Sequence, residues 1–208
     1  MKAYAFPDSR HRRTQTPARF VNYRSYKPVL RVEFVRRCVY CREADGLKGE
    51  DNFGVDHYRP RGLFPQLATH YDNLFYSCNV CNRRKGWFWP NRAQLRARQL
   101  IPNPCDHLMS THLKFEGVTV VARTVTGRFA LDMLDLNEQR AVYFRWVRVR
   151  TIGELVREHR ELSRDIRTLE RRLARSRSEE MNFRLSAHIG KLRTLLAVVR
   201  GRLDFVLG

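Results

Sequence analysis

The longest regular pattern of apolar and polar positions lies in the last third of the chain. Apolar residues recur at spacings of four and three from Leu155 to Leu173, and the same rhythm runs from Leu185 to Val206. This spacing places each series on one face of an α-helix. The polar break between them holds Ser176 with a glutamate three residues later, a capping-box pattern that predicts the start of a second helix. Two such helices predict an antiparallel hairpin, packed on itself or on a partner.

Upstream of this region the patterns are shorter and change along the chain. Tyr26, Leu30 and Phe34 recur every four residues, which predicts a short amphipathic helix. Residues 91–100 also have a helical, arginine-rich pattern. Turn and alternation signals predict a short strand at residues 53–56 and a hairpin over residues 113–121 that turns at Glu116-Gly117. An edge strand is predicted over residues 126–129. The mixture predicts an α+β region ahead of the helical hairpin.

The charge balance points to the kind of partner. The 208 residues include 40 lysines and arginines against 21 aspartates and glutamates, a formal net charge of +19. This excess indicates a polyanionic binding partner, most simply nucleic acid. The alternative is a basic surface that is only solvated. Residues 1–24 are basic and polar, and they predict an arm that lies along a phosphate backbone or a disordered solubilising tail. We find no apolar run of transmembrane length and no signal-peptide pattern, so we expect no membrane contact and a cytoplasmic location.

Four of the five cysteines form two C-x2-C pairs, Cys38 with Cys41 and Cys78 with Cys81. Four thiolates are enough to close a tetrahedral structural Zn²⁺ site. This use of cysteine is typical of a metal site in a reduced compartment rather than of a disulfide framework. The alternative is redox chemistry, but the arginine and asparagine neighbours favour zinc knuckles.

The fifth cysteine, Cys105, stands apart from these pairs in a segment rich in proline and asparagine. We expect it to be a buried thiol or a thiol in a loop. The alternative is a second metal site built from Cys105, His107 and His112.

The stretch between and beside the two cysteine pairs carries a recognisable series of polar residues. In order these are Asp56-His57, Asn73-Leu74 and Cys81-Asn82-Arg83-Arg84-Lys85-Gly86. Residues 38–90 thereby resemble the HNH (ββα-metal) endonuclease family, with two zinc knuckles around the motif. The chain is similar to stand-alone bacterial HNH nucleases, some of which are effectors of anti-phage systems of the Septu and retron-associated types. The resemblance implies a strand that ends at His57, a second strand over residues 74–76, and a helix from Asn79 onward.

The resemblance also implies a catalytic role for each polar residue of the motif. His57 is expected to be the general base, because a neutral imidazole takes a proton from water at cellular pH. Asp56 and Asn82 are expected to hold a catalytic Mg²⁺ or Mn²⁺, since carboxylate and amide oxygens are hard ligands. Asn73 is expected to fix the loop after His57 by hydrogen bonds to the backbone. The alternative is that these residues form a surface pair and a helix cap.

Basic residues around the motif are expected to contact the phosphates that flank the cleaved bond. They are Arg59, Arg61, Arg83, Arg84 and Lys85. The bulky segment Trp87-Phe88-Trp89 follows, and its pattern favours core packing, with base stacking as the alternative.

Taken together, the sequence predicts an α+β protein with a zinc-knuckle-supported ββα-metal core and a C-terminal antiparallel helical hairpin. The predicted domains are a basic arm at residues 1–24, a nuclease domain at residues 25–136 and the hairpin at residues 137–208. The predicted function is metal-dependent hydrolysis of DNA phosphodiesters, leaving 5′-phosphate and 3′-hydroxyl ends. The alternatives are a nuclease for structured RNA such as tRNA, or a zinc-stabilised nucleic-acid-binding subunit. A protein partner or a dimer contact through the hairpin is also expected.

Overall fold

The computed structural model describes residues 4–207, and the first three residues of the predicted arm lie outside this range. The described chain forms two compact units, one that ends at Trp146 and one from Val147 to Leu207. The long helix Gln139–Arg175 contributes residues to both units. The domain limits drawn from the sequence stay predictions.

The helices of the structure are α1 (Lys27–Glu33), α2 (Asp45–Lys48), α3 (Asn79–Lys85), α4 (Arg92–Arg96), α5 (Met109–His112), α6 (Val125–Met133), α7 (Gln139–Arg175) and α8 (Glu179–Leu207). The strands are β1 (Phe53–His57), β2 (Leu74–Cys78), β3 (Leu113–Glu116) and β4 (Thr119–Ala122). Single 3-10 turns lie at Tyr23–Tyr26, Glu50–Asn52, Pro65–Leu67 and Tyr71–Asn73. Among the helices of residues 4–207, none combines the length and the apolar character that a membrane span requires.

The centre of the first unit is an antiparallel hairpin of β1 and β2 followed directly by α3. Phe53 pairs with Cys78 at one end of the ladder, and His57 pairs with Leu74 at the other. All five residues of β2 are buried, so this strand forms the middle of the core. The predicted ββα order is therefore confirmed, including the strand that ends at His57.

The amphipathic helix predicted before the first cysteine pair is also confirmed. Tyr26, Leu30 and Phe34 are all buried, and they lie on the side of α1 that packs on β2. Pro28 lies in the first turn of α1, where a backbone N–H would have no hydrogen-bond partner within the helix. The missing N–H of proline therefore costs the helix nothing there.

The described part of the N-terminal segment packs on the first unit, which corrects the interpretation as a disordered tail, and contact with a phosphate backbone stays a prediction. Tyr4 and Phe6 are buried against the core, and the Phe6 ring stacks on Phe115 at 5.0 Å. The guanidinium of Arg13 lies over the Phe75 ring and donates a hydrogen bond to the Leu74 carbonyl at 2.7 Å. The segment has few apolar residues, but two aromatic ones, Tyr4 and Phe6, are buried against the first unit.

A second hairpin, of β3 and β4, confirms the turn predicted at Glu116-Gly117. The edge strand predicted at residues 126–129 is wrong, because these residues lie in α6. Thr124 caps this helix by accepting a hydrogen bond from the Gly127 amide at 3.0 Å. Helix α6 buries Thr126, Gly127, Ala130 and Leu131, a helical spacing that the short apolar pattern did not reveal.

The second unit is the predicted antiparallel helical hairpin. Glu170 of α7 and Arg193 of α8 form an ion pair at 2.7 Å across it. Every position of the predicted seam is buried or half-buried, and Ile166 and Ile189 are among the most buried. The cap of α8 lies two residues later than predicted, since the amide of Met181 donates to the Ser178 hydroxyl rather than to that of Ser176.

Candidate active site and cysteine cluster

The four cysteines of the two pairs come together in the first unit. The Sγ atoms of Cys38, Cys41, Cys78 and Cys81 all lie within 4.8 Å of one another, and those of Cys41 and Cys78 are 3.8 Å apart. Four sulfurs around a tetrahedral Zn²⁺ lie about 3.8 Å from each other, because each Zn–S bond is about 2.3 Å. Hydrogen bonds from the other thiols lower the pKa of Cys78, which favours a thiolate there. The cluster therefore fits a structural zinc ion.

The second metal site considered for Cys105 is not formed. Within residues 4–207 the four-cysteine cluster is the one group of three or more candidate ligands close enough to hold a metal. His112 instead pairs through Nδ1 with the Thr124 hydroxyl at 2.8 Å. Burial raises the pKa of the Cys105 thiol, as expected for a half-buried structural cysteine.

The cluster is coupled to the ββα hairpin by its own sequence neighbours. Tyr40, inside the first cysteine pair, donates a hydrogen bond from its hydroxyl group to Asp56 Oδ2 at 2.5 Å. Cys81 lies in the first turn of α3, and Asn82 follows it directly. Each knuckle therefore positions one of the two residues predicted to hold the catalytic metal.

A cleft of about 480 Å³ opens beside the hairpin in the first unit. Its lining combines residues of β1, the loop after β1 and α3. They are Tyr23, Val55, Asp56, His57, Pro60, Arg61, Asn79, Asn82, Arg83, Gly86 and Trp87. The structure thus brings His57 and Asn82 to one place although 25 residues separate them in the sequence.

The His57 ring is fixed in one orientation by its backbone contact. Its Nε2 lies 2.9 Å from the Ala68 carbonyl oxygen, and because a carbonyl only accepts, Nε2 carries the proton. In the neutral ring, Nδ1 is then the basic nitrogen. The Tyr23 ring packs edge-on against the imidazole, with centroids 4.7 Å apart. Burial lowers the pKa of His57, which favours the neutral form of the ring.

Asn73 fixes the loop that follows His57. Its side-chain oxygen accepts from the Arg59 amide at 2.8 Å, and its side-chain nitrogen donates to the Arg59 carbonyl at 3.0 Å. The same nitrogen reaches the Leu67 carbonyl at 3.3 Å. Asn73 is 6 % exposed and does not line the cleft, so it acts on the loop and not on a substrate.

Asp56 and Asn82 offer the oxygen atoms expected for a hard divalent cation. The Asn82 amide nitrogen donates to the Val55 carbonyl at 3.4 Å, which directs the amide group toward β1 and leaves Oδ1 as its acceptor. Asp56 is 2 % exposed, and each of its oxygens already accepts one hydrogen bond. A carboxylate oxygen has a second acceptor position, so a cation remains compatible with these contacts. The donor set thus fits Mg²⁺ or Mn²⁺ at the floor of the cleft.

Lys85 does not occupy the position predicted for a phosphate contact. It is 2 % exposed, and its Nζ donates to Asp56 Oδ1 at 3.1 Å and to the His57 carbonyl at 2.6 Å. The reason is helical geometry, since α3 turns this side chain toward β1 rather than toward solvent. Lys85 therefore holds Asp56 and the end of β1 together from within the core.

The four arginines predicted to contact phosphates divide into two groups. Arg61 and Arg83 are exposed and line the cleft, and Arg59 is exposed next to it, stacked over the Trp89 ring at 5.5 Å. Arg84 instead donates to the carbonyls of Leu134 and Asp135, at 3.1 and 2.9 Å, and this corrects its predicted role. Three arginines thus remain available to a polyanion at the cleft.

The sequence did not single out two residues that shape this site. Tyr40 lies between Val39 and Cys41 in the first cysteine pair, and no spacing in the sequence indicates that it is buried on Asp56. Tyr23 precedes the amphipathic helix, and its role as a neighbour of His57 depends on a contact 34 positions away. In neither case does a local pattern reveal the contact.

The comparisons with known proteins agree with this geometry. Residues 38–87 match the model of the HNH endonuclease family, which confirms the resemblance drawn from the motifs. The chain is also similar to a Septu protein PtuB of Bacillus thuringiensis, with 28 % identity over 123 residues, 56 % of this chain and 45 % of the relative.

A Septu protein PtuB of Bacillus mycoides (strain KBAB4) is 26 % identical over 160 residues, 62 % of this chain and 54 % of that relative. The chain therefore spans about half the length of the relatives it matches. No solved structure matches it.

Proposed function

We propose that this chain is a metal-dependent HNH endonuclease that hydrolyses DNA phosphodiester bonds and leaves 5′-phosphate and 3′-hydroxyl ends. The observation that carries the proposal is the state of His57. Its ring is held by the Ala68 carbonyl with Nδ1 as the basic nitrogen, beside a cleft that also contains Asn82 and Asp56. This is the arrangement that activation of a water molecule requires.

The residues of the cleft divide the chemical work. Neutral His57 accepts the proton of the attacking water at Nδ1, while its Nε2–H stays on the Ala68 carbonyl and prevents the ring from turning. Asp56 and Asn82 would hold a divalent cation, and when bound it stabilises the negative charge on the phosphoryl and leaving oxygens. Arg61 and Arg83 attract the phosphate backbone to the cleft.

A role in anti-phage defence extends the proposal. Its support is the similarity to the two Septu proteins, each matched over about half of its length. A nuclease with this positive charge would damage its host if it were always active. We therefore expect a protein partner or another gate to control cleavage.

Cleavage of a supercoiled plasmid in the presence of Mg²⁺ or Mn²⁺ tests the proposal. We expect the wild-type protein to cut it, the product ends to be ligatable, and a chelator to stop the reaction. The His57→Ala protein should bind the plasmid without cutting it. Single-stranded DNA and total tRNA belong in the same experiment. Cleavage of tRNA alone would identify an RNA nuclease, and binding of DNA that is never cut would identify a binding subunit.

A further inference from the structure

Trp87 is unusual among the aromatic residues near the cleft. Its side chain is 68 % exposed, although it lines the cleft together with His57. The two aromatic residues that follow it are packed, since Phe88 lies against Phe129 at 5.2 Å and Trp89 against Tyr58 at 5.7 Å. The core-packing interpretation therefore holds for these two residues and is wrong for Trp87.

The Trp87 ring lies directly against the backbone of the loop after β1. A Cβ atom on Gly62 would lie 1.8 Å from the Trp87 ring, so the ring rests directly on the backbone of Gly62. Gly86, with a φ of +52°, ends α3 and turns the chain outward immediately before Trp87. At position 62 a side chain would collide with the ring, and at position 86 a side chain would be strained by the positive φ. Glycine avoids both problems. The indole thus packs on Gly62 and still exposes most of its surface at the cleft.

The surroundings of the ring are suited to a nucleic-acid strand. Arg61 and Arg83 lie in the same cleft lining, and Asp56 is its one acidic residue among the described residues. An aromatic face between cations stacks on nucleobases while the cations hold phosphates. In a regular duplex both faces of each base are covered, so only an unpaired or displaced base offers a face to Trp87.

We propose that Trp87 is a stacking site for an unpaired nucleobase next to the phosphate that is cleaved. The proposal rests on the proposed function, because it assumes that a DNA strand lies in the cleft beside His57. It adds a preference to that function. The protein should favour single-stranded or locally unpaired DNA over an intact duplex of the same sequence.

The test measures binding in the His57→Ala background, so that the DNA stays uncut. Oligodeoxynucleotides that contain 2-aminopurine report stacking through quenching of its fluorescence. We expect quenching with the single strand, and a loss of affinity of roughly tenfold to a hundredfold when Trp87→Ala is added. Trp87→Phe should restore most of this affinity. Gly62→Ala should also weaken binding, because it displaces the ring without removing it.

Two controls separate stacking from a general loss of binding. Phe183→Ala removes an aromatic residue that is 79 % exposed but does not line the cleft, and it should change nothing. Intact duplex should bind equally to proteins with and without Trp87. An equal loss on single strand and duplex, or no loss at all, would overturn the proposal. Cleavage of single-stranded DNA that proceeds without any effect of Trp87 would reject the stacking site alone. Trp87-dependent binding by a protein that never cuts would reject the nuclease alone.

Discussion

The two units of this protein are specified in different ways. The hairpin consists of two helices of 37 and 29 residues, the first of which begins in the first unit, and a repeated apolar seam accounts for its packing. In the first unit the other helices have four to nine residues and the strands four or five, and distant residues must meet to complete the core. Such short elements are marginal by themselves, so the fold depends on the cysteine cluster and on buried polar pairs.

The position of buried charge shows the same contrast. The buried charged residues of the first unit each have a charged or hydrogen-bonding partner, and they are Glu33, Glu43, Asp45, Asp56, Lys85 and Arg145. Among the described residues of the second unit, 147–207, the buried charged residue is Arg148, which donates to the Val206 carbonyl. The difference teaches that the first unit relies more than the second on buried polar contacts, and that some of these contacts also hold residues of the cleft.

The largest expected effect comes from the cysteine cluster. Cys78→Ser removes one of the four cysteines that would hold zinc, and since metal binding contributes folding free energy, the first unit should unfold. The helical signal of the hairpin in circular dichroism should largely persist, while the near-ultraviolet signal and the bound zinc are lost. A variant with unchanged zinc content and melting temperature would show that the cluster is not a structural metal site. Cys105→Ser is the matched control, because this thiol lies outside the cluster.

The second largest effect comes from the buried pair of Lys85 and Asp56. Lys85→Met leaves the carboxylate buried without its cation, and the expected loss is about 3–5 kcal/mol in the free energy of unfolding. Adding Asp56→Asn should recover part of this loss, because the uncompensated charge disappears. Denaturant titration of the three proteins measures both values. If Lys85→Met were neutral for stability but weakened DNA binding, Lys85 would be a surface phosphate contact after all.

A smaller effect is expected in the hairpin. Ile189→Ala removes apolar volume from a residue that is 4 % exposed, with an expected cost of about 2–4 kcal/mol. Thermal unfolding followed by circular dichroism would show the loss in the helical signal. The control is Leu195→Ala in the same helix, because Leu195 is 52 % exposed and should cost less than about 0.5 kcal/mol. Equal losses in the two variants would contradict the seam.

The sequence predicted the elements whose signals are local. The seam of the hairpin, the face of α1 and the turn at Glu116-Gly117 depend on spacing within one segment, and the structure has all three. The order of the ββα core came from the motif and was confirmed as well. For the strand predicted at residues 126–129, a cap at Thr124 outweighed a short apolar pattern.

The contacts of charged side chains were the least predictable part of the site. Lys85 and Arg84 stand beside Arg83 in the sequence, yet one is buried on Asp56, one is paired with Asp135, and one is exposed at the cleft. Adjacent helical positions point in different directions, and what each side chain meets depends on distant segments. The same limitation explains why the basic N-terminal segment was not expected to pack on the core.

Chemical rescue of the His57→Ala protein tests the central claim, that a fixed neutral imidazole in this cleft is the general base. We expect the variant to lose at least about a hundredfold in the rate of plasmid cleavage while its affinity for DNA stays the same. Added imidazole, which is small enough for the space that the side chain leaves, should restore part of the rate. The restored rate should rise with pH as imidazole becomes neutral. A His57→Ala protein that cuts as fast as the wild type would contradict the account.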